Sequence, residues 1–267
     1  MTTDSMSWFS FAAYFSILLI AFILLRYYKL PLSKSLLSAV VRMTVQLLLV
    51  AVYLQTIFDI DNPWINFAWF ALMVFVTSWT GTGQIGISRR FYFWPFLIAV
   101  VVGALPILLF TVFILANPTP WYQAQYIIPL GGMLLGNALK GVIVGVERFF
   151  AIMRDQQQLY LQYVSLGATR REALAPIFRQ AIQAALSPAI ASMATVGVVA
   201  LPGMMTGQIL AGAEPMQAIQ YQIAILLAIY VTEMITVVVA LELCARRLID
   251  TALLPRLERL KDQRISQ

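Results

Sequence analysis

Seven runs of mainly apolar residues, each about as long as a membrane-crossing helix, constrain the fold of this 267-residue chain more than any other feature. A spanning helix needs about 20 such residues, because the hydrocarbon core of a bilayer is about 30 Å thick. Charged residues make up 11% of the chain, against about 25% in an ordinary soluble domain. The sequence therefore predicts an all-α, polytopic membrane protein with about seven transmembrane helices. The predicted spans are residues 8–25, 36–57, 64–80, 93–116, 125–147, 184–201 and 217–243.

The basic residues predict how these helices are oriented. All 18 Lys and Arg residues fall in loops on one side of the predicted helices, or in the half of a helix nearest to that side. Because cytoplasmic loops carry an excess of Lys and Arg, the predicted topology has the N-terminus outside and the C-terminus inside. The expected location is the inner (plasma) membrane. We interpret the net charge of +6 as an orientation signal that also attracts anionic lipid, and expect no nucleic-acid partner.

Several functional classes lack the residues that they need. The chain has one cysteine, Cys244, and no histidine, which excludes a disulfide framework and Cys/His metal sites. An intramembrane enzyme would lack acid-base groups, so we predict no catalytic residues, and any metal ligands stay unassigned. No internal repeat is visible. We predict one transmembrane permease domain over residues 1–267, in which residues 148–183 form a cytoplasmic coupling-helix segment.

The coupling segment contains signals for a helix end followed directly by a helix start. Gly167 can supply the left-handed residue that ends a helix. Thr169 and Glu172 fit a capping box, in which each side chain accepts a hydrogen bond from a free backbone N–H of the other residue. The sequence predicts that this helix end and the following helix start form a rigid turn, the elbow, that projects into the cytoplasm. Pro176 and Pro188 are expected to bend or interrupt the chain as it re-enters the membrane.

The stretch Ser165-Leu166-Gly167-Ala168-Thr169, together with Ile177, resembles the cytoplasmic coupling loop of ABC transporter permeases. This resemblance implies that a partner ATPase docks on the elbow. The expected ATPase-coupling residues are Ser165, Leu166, Gly167, Ala168, Thr169, Arg170, Arg171 and Glu172.

Three stretches resemble the FetB-type permease family, small bacterial membrane proteins with plant relatives linked to aluminium tolerance. They are Arg42–Leu47, Pro129–Ala138, and the run from Ser165 through Gly207 to Ile223. The resemblance implies a permease subunit of an ATP-driven exporter, with iron or another metal species as its cargo. It also implies a separate ABC ATP-binding subunit, and we expect a homodimer of permease chains. The chain has no phosphate-binding loop, so we expect it to bind no cofactor, with ATP and Mg²⁺ on the partner.

Polar and irregular positions inside the predicted spans are candidates for a transport pathway. Arg42 and Gln46 share a face of the second helix. Snorkelling of the charged side chain to the headgroups and a role in the pathway explain this position equally well. The amide of Asn137 in the fifth helix could contact the substrate or form a structural hydrogen bond between helices. A helix break before the seventh offers methionine thioethers, although a simple interfacial turn explains it as well. The candidate pathway residues are Arg42, Gln46, Asn137, Pro202, Gly203, Met204 and Met205.

Two further ionisable residues, Lys140 and Glu233, lie at similar expected depths in the fifth and seventh helices. A buried pair would lower the cost of both charges, and we interpret them as structural. They also support an alternative function. In a stand-alone secondary transporter driven by protons, they would form the proton relay.

Overall fold

The computed structural model of the protein describes residues 13–116, 118–199, 201–250 and 253–255. In these ranges the chain is helical almost throughout and has no β-strand, only an isolated bridge between Ile249 and Pro255. Five helices are long and apolar enough to cross a membrane, and the described part of the first apolar run is a shorter helix, Phe15–Tyr27. The chain is a polytopic all-α membrane protein, as predicted. The count of seven spans and the orientation stay predictions.

Nine α-helices follow one another along the described residues. Phe15–Ile17 is a 3₁₀ turn before the first of them, and Val112–Ala116 is a π-helical turn after the fourth. The helices are α1 (Leu18–Tyr27), α2 (Ser33–Ile60), α3 (Pro63–Ile85), α4 (Arg89–Thr111), α5 (Ala124–Asp155), α6 (Gln157–Ser165), α7 (Arg170–Thr195), α8 (Gly203–Leu210) and α9 (Pro215–Leu248).

The chain divides into two compact units, the first ending at Asp59 and the second beginning at Ile60. The described part of the first unit contains α1 and nearly all of α2. Large apolar side chains on both helices, such as Ile23 and Leu47, are more than half exposed, as suits a surface that faces lipid. Shallow apolar grooves between the two helices are lined by residues such as Leu18 and Val40.

The second unit, α3 to α9, has two buried apolar clusters. The elbow-end cluster joins the C-terminal halves of α5 and α9 to the starts of α4 and α7, and its members include Phe96, Val146, Met153, Leu174 and Leu241. The opposite cluster joins α3, the second half of α4 and the first half of α5, with members that include Phe70, Leu108, Ile127 and Leu134. Helix α9 supplies residues to both clusters.

Helix α9 packs closely against α4 between these clusters. A Cβ atom added to Gly103 of α4 would overlap with the side-chain hydroxyl of Thr236 and would lie 3.0 Å from its backbone nitrogen. Only glycine at position 103 therefore allows this helix contact. Thr236 itself is fully buried and donates its hydroxyl to the carbonyl of Thr232, 2.6 Å away in the same helix.

Helix α7 differs from the expectation drawn from its prolines. It runs without interruption from Arg170 to Thr195, through both Pro176 and Pro188. Residues 184–195 of the predicted sixth span, 184–201, are thus the second half of a helix that begins at the elbow. The buried side chains of Ala181 and Ala185 lie between the two prolines and pack in the elbow-end cluster. Packing compensates for the backbone hydrogen bonds that the prolines cannot donate.

At the opposite end of the second unit, Asp61 joins two loops. One oxygen of its side chain, Oδ1, accepts from the backbone N–H of Ala124, 2.8 Å away, where α5 begins. The same oxygen accepts from Nδ2 of Asn66 at 3.0 Å. Asn66 is completely buried and also donates to the carbonyl of Tyr122. Asp61 therefore holds the start of α5 against the start of α3.

Candidate functional site

The turn between α6 and α7 is a Schellman motif, which explains the sharp end of α6. Gly167 has φ of +90°, a left-handed conformation that favours glycine. Its N–H donates to the carbonyl of Val164 at 3.0 Å, and the N–H of Ala168 donates to the carbonyl of Tyr163 at 3.0 Å. These are the two hydrogen bonds that define the motif. The predicted helix end at Gly167 is confirmed.

Helix α7 then begins with the predicted capping box. Oγ1 of Thr169 accepts from the N–H of Glu172, and Oε2 of Glu172 accepts from the N–H of Thr169 at 2.8 Å. The Thr169 hydroxyl also donates to Oε2 of Glu172 at 2.8 Å. These hydrogen bonds to the backbone N–H and the hydroxyl of Thr169 hold the pKa of Glu172 below its usual range. Residues 165–172, which we call the elbow, thus have a fixed conformation.

The tip of the elbow is open to solvent. Leu166 is 84% exposed, an unusual environment for a large apolar side chain. Arg171 and Glu172 are also exposed. By contrast Ile177, one turn beyond the elbow, is buried in the elbow-end cluster. The elbow therefore presents one apolar and two charged side chains on a base that is anchored in the core.

Arg170, a predicted coupling residue, has an internal partner. Its Nη2 lies 3.0 Å from Oε1 of Glu242 in α9, and Arg246 donates to the same oxygen at 3.0 Å. The ring of Tyr160 is buried, and burial raises the pKa of its hydroxyl, although the positive charge of Arg170 opposes part of this shift. Arg170 ties the elbow to α9, which leaves Arg171 as the exposed cation of this turn.

A cavity of about 380 Å³ opens between α5, α7 and α9. Along α5, the cavity lies between the two apolar clusters. The last α5 residue of the opposite cluster is Leu135, and the first α5 residue of the elbow-end cluster is Val142. Its walls are mostly apolar, with polar groups contributed by all three helices. The polar lining residues are Asn137, Lys140, Ser192, Tyr230 and Glu233, and the thioether of Met193 lies among them.

Glu233 is the most deeply buried charged residue of this lining, with 6% of its surface exposed. It packs directly against Gly141 of α5, where an added Cβ would lie 2.8 Å from its Cδ. Its carboxylate forms no hydrogen bond or ion pair with any described residue. Such a group inside a membrane is costly unless something else compensates its charge.

Lys140 does not form the predicted ion pair with Glu233. Arg170 and Arg246 each form an ion pair with Glu242, whereas the Lys140 ammonium is not within ion-pair distance of the Glu233 carboxylate. Lys140 lies on the exposed side of α5, beside the cavity. Its positive charge attracts the Glu233 carboxylate electrostatically, although the two groups form no ion pair. The structure places both residues in the lining of one cavity. Their charge at mid-span depth was the signal that could have identified them.

The same helix connects the elbow with the cavity. Arg170 and Arg171 begin α7, and Ala185, Ala189, Ser192 and Met193 line the cavity near its other end. At 1.5 Å per residue the distance from Arg171 to Ser192 is about 30 Å. A displacement of the elbow would therefore move one wall of the cavity as a rigid body.

The other predicted pathway residues lie in several places. Asn137 lines the cavity, and its Nδ2 also donates to the carbonyl of Met133 at 2.8 Å. Arg42 and Gln46 lie on the exposed surface of α2, in the first unit. Pro202 is the N-cap of α8, and Gly203 is its first residue.

The two predicted methionines of this turn face apolar surroundings. Met205 is 7% exposed, and Met204 packs against the opposite cluster. In the described part of the chain, no group of three or more His, Cys, Asp or Glu side chains is placed to hold a metal ion.

Comparison with known proteins identifies the relatives of this chain. Its residues 8–249 match the family described as Uncharacterised protein family (UPF0014). The probable iron export permease protein FetB of Escherichia coli (strain K12) is 34% identical over 219 residues, which cover 82% of this chain and 83% of that protein. Protein ALUMINUM SENSITIVE 3 of Arabidopsis thaliana is 34% identical over 222 residues, covering 80% and 77%.

A cyanobacterial relative is equally similar. The UPF0014 membrane protein slr1647 of Synechocystis sp. is 34% identical over 219 residues, covering 82% of this chain and 84% of the relative. No solved structure matches the chain significantly. The match over most of the chain confirms the resemblance that its motifs predicted. The chain belongs to the UPF0014 family of membrane proteins.

Proposed function

We propose that the chain is the membrane-spanning permease subunit of an ATP-driven exporter in the inner (plasma) membrane. Its cargo is iron or another metal species. The Escherichia coli relative is named a probable iron export permease, which supports both the cargo and the direction. ATP and Mg²⁺ are bound by a separate ABC subunit that docks on the elbow, residues 165–172, and the cargo passes through the cavity between α5, α7 and α9.

The geometry of the elbow is the observation that carries this proposal. A turn whose conformation is fixed by a Schellman motif and a capping box resists bending, so a force applied to it displaces the turn as a unit. Its exposed side chains, Leu166 and Arg171, suit a groove with apolar walls and an acidic rim. Since α7 continues from this turn to the cavity, closure of the ATPase would be transmitted to the cavity wall.

The exposed face of α5 supports the pairing of two permease chains. Lys140 lies about halfway along this membrane helix, and its side chain is exposed. A lysine facing lipid at the centre of a helix costs about 2.5–3.5 kcal/mol on insertion scales. Gly136, one turn earlier on α5, is also exposed, and no atom would contact its added Cβ within 4 Å. A second copy that covers this face would enclose the cavity.

Co-purification with the ABC subunit tests the docking step. The two chains are co-expressed and captured through a tag on the ATPase. We expect Arg171→Glu and Leu166→Asp each to reduce the captured permease at least about tenfold, since each removes one buried contact of an interface. Arg170 is unsuitable for this test, because its ion pair with Glu242 makes it part of the fold.

Lys34→Glu provides the matched control. Lys34 is an exposed basic residue at the start of α2, outside the elbow, so its reversal should leave capture unchanged. If Arg171→Glu and Leu166→Asp are captured as well as the unmodified chain, the elbow is not the docking surface. Size-exclusion profiles of the four proteins in detergent show that each is folded.

A stand-alone proton-coupled carrier is the second candidate, because Glu233 and Lys140 both line the cavity. In that mechanism Glu233 would take up and release a proton while Lys140 compensates its charge. The two candidates differ in their energy source. Cargo movement in vesicles that contain the permease alone, driven by a pH gradient and abolished by Glu233→Gln, would favour the carrier.

A further inference from the structure

The charges that line the cavity restrict what it can bind. Glu233 brings a negative charge and Lys140 a positive one, and they do not neutralise each other by contact. Lys140 repels a bare metal cation, and Glu233 repels a simple anion. A ligand that carries both a cationic centre and an anionic group satisfies both residues.

The other lining groups also disfavour a bare ion. An iron ion favours several carboxylate or imidazole ligands, and the cavity offers one carboxylate. The remaining oxygen donors are neutral groups on Asn137, Ser192 and Tyr230. A volume of about 380 Å³ lies within the usual range for small-molecule sites, about 300–1,000 Å³, and far exceeds one ion.

On the basis of the proposed function, we propose that the cavity binds its metal cargo as a complex with a small anionic chelator. Glu233 faces the metal centre or a water bound to it. Lys140 binds a free carboxylate or phosphate of the chelator, and Asn137 and Tyr230 contact its polar groups. The apolar residues of the wall, such as Val144 and Leu226, exclude water around the bound complex.

Equilibrium binding to the full chain in lipid nanodiscs tests this assignment. The probes are radiolabelled ferric citrate in excess citrate, citrate alone, and ferrous ion under reducing conditions without a chelator. We expect ferric citrate to bind more tightly than either other probe. Glu233→Gln and Lys140→Met should each weaken its binding about tenfold or more, the effect of removing one charged contact.

Two matched variants control for the change of charge. Glu147→Gln alters an exposed glutamate of α5 outside the cavity, and Lys34→Met alters an exposed lysine of α2. Both should bind ferric citrate like the unmodified chain. Thermal unfolding of each variant in the same nanodiscs shows that its fold is retained.

The sign of the Lys140→Met effect separates the two kinds of cargo. If the cavity takes bare ions, removing a positive charge strengthens ferrous binding and leaves ferric citrate unbound. That result, or equal binding of ferrous ion and ferric citrate, would overturn the assignment. None of these outcomes bears on ATPase capture through Arg171, so the exporter proposal stands or falls separately.

Discussion

Arg170, the first residue of α7, donates from its Nη2 to Oε1 of Glu242 in α9 across 3.0 Å. Both side chains are a little over one quarter exposed, so water partly screens the pair. The contact joins the elbow to the helix that carries Glu233, about two and a half turns away along α9. Elbow and cavity are therefore connected by α7 and also by this ion pair.

Glu242→Gln should destabilise the protein by about 0.5–1 kcal/mol, the upper part of the range for partly exposed ion pairs. The free energy of unfolding is measured in mild detergent at low and high salt, and the loss should shrink at high salt. Arg246→Met is the control. Its side chain is 57% exposed, so we expect a smaller loss of about 0.3–0.5 kcal/mol. Equal losses for both variants would contradict a specific role for Arg170.

The first turn of α7 should weaken in acid. Hydrogen bonds from Thr169 lower the pKa of Glu172 in the folded protein below its ordinary value of 4.5. The stabilisation is therefore complete above that ordinary value, and it is lost as the pH falls through the lowered one. Hydrogen exchange of residues 169–173, corrected for the intrinsic rate, measures it. In Thr169→Ala the exchange protection of these residues should depend less on pH. If its pH dependence is unchanged, the capping box is not the cause of that dependence.

Gly141→Ala should disturb the cavity and the fold together. The added methyl group would overlap with the Glu233 side chain, and overpacking of this kind costs about 1–3 kcal/mol. Gly207→Ala, at an exposed glycine within helix α8, is the control, because nothing lies within 4 Å of its added Cβ. We expect a lowered melting temperature for Gly141→Ala alone. Similar temperatures for the two variants would contradict the close contact between α5 and α9.

Asp61 should matter for stability rather than for cargo. Asp61→Ala removes the acceptor of the first N–H of α5 and one of the two acceptors of the buried Asn66 amide, which costs about 1–3 kcal/mol. Asp61→Asn keeps an acceptor oxygen and should lose less. Unfolding in detergent distinguishes the two variants, and ferric citrate binding should be the same for both. A binding defect in Asp61→Asn with normal stability would instead make this residue part of the pathway.

The elbow could be predicted from sequence because the interactions that form it are local. The hydrogen bonds of Gly167, Thr169 and Glu172 described above join residues only a few positions apart in the chain. Apolar length likewise predicted the five helices that are long and apolar enough to cross a membrane. Hydropathy missed the extension of α5 to Asp155, because that part of the helix carries charges such as Arg148 and Arg154.

The cavity could not be predicted, because it depends on how three distant helices pack. Gly141 permits the close approach of α9, but the sequence does not show which helix approaches it. Lys140 and Glu233 were expected at similar depths, and they do line one space, yet they are not in contact. Pro176 and Pro188 suggested a break that packing in the second unit prevents. Long-range packing overrode the local signal in each case.

Transport in reconstituted vesicles tests the central claim most directly. Vesicles contain the permease with or without the ABC subunit, and movement of iron, supplied in parallel assays as ferric citrate or as ferrous ion, is followed with and without ATP. The proposed function predicts movement only when both subunits and ATP are present, with a strong reduction for Arg171→Glu. Iron movement by the permease alone, unaffected by ATP, would contradict it.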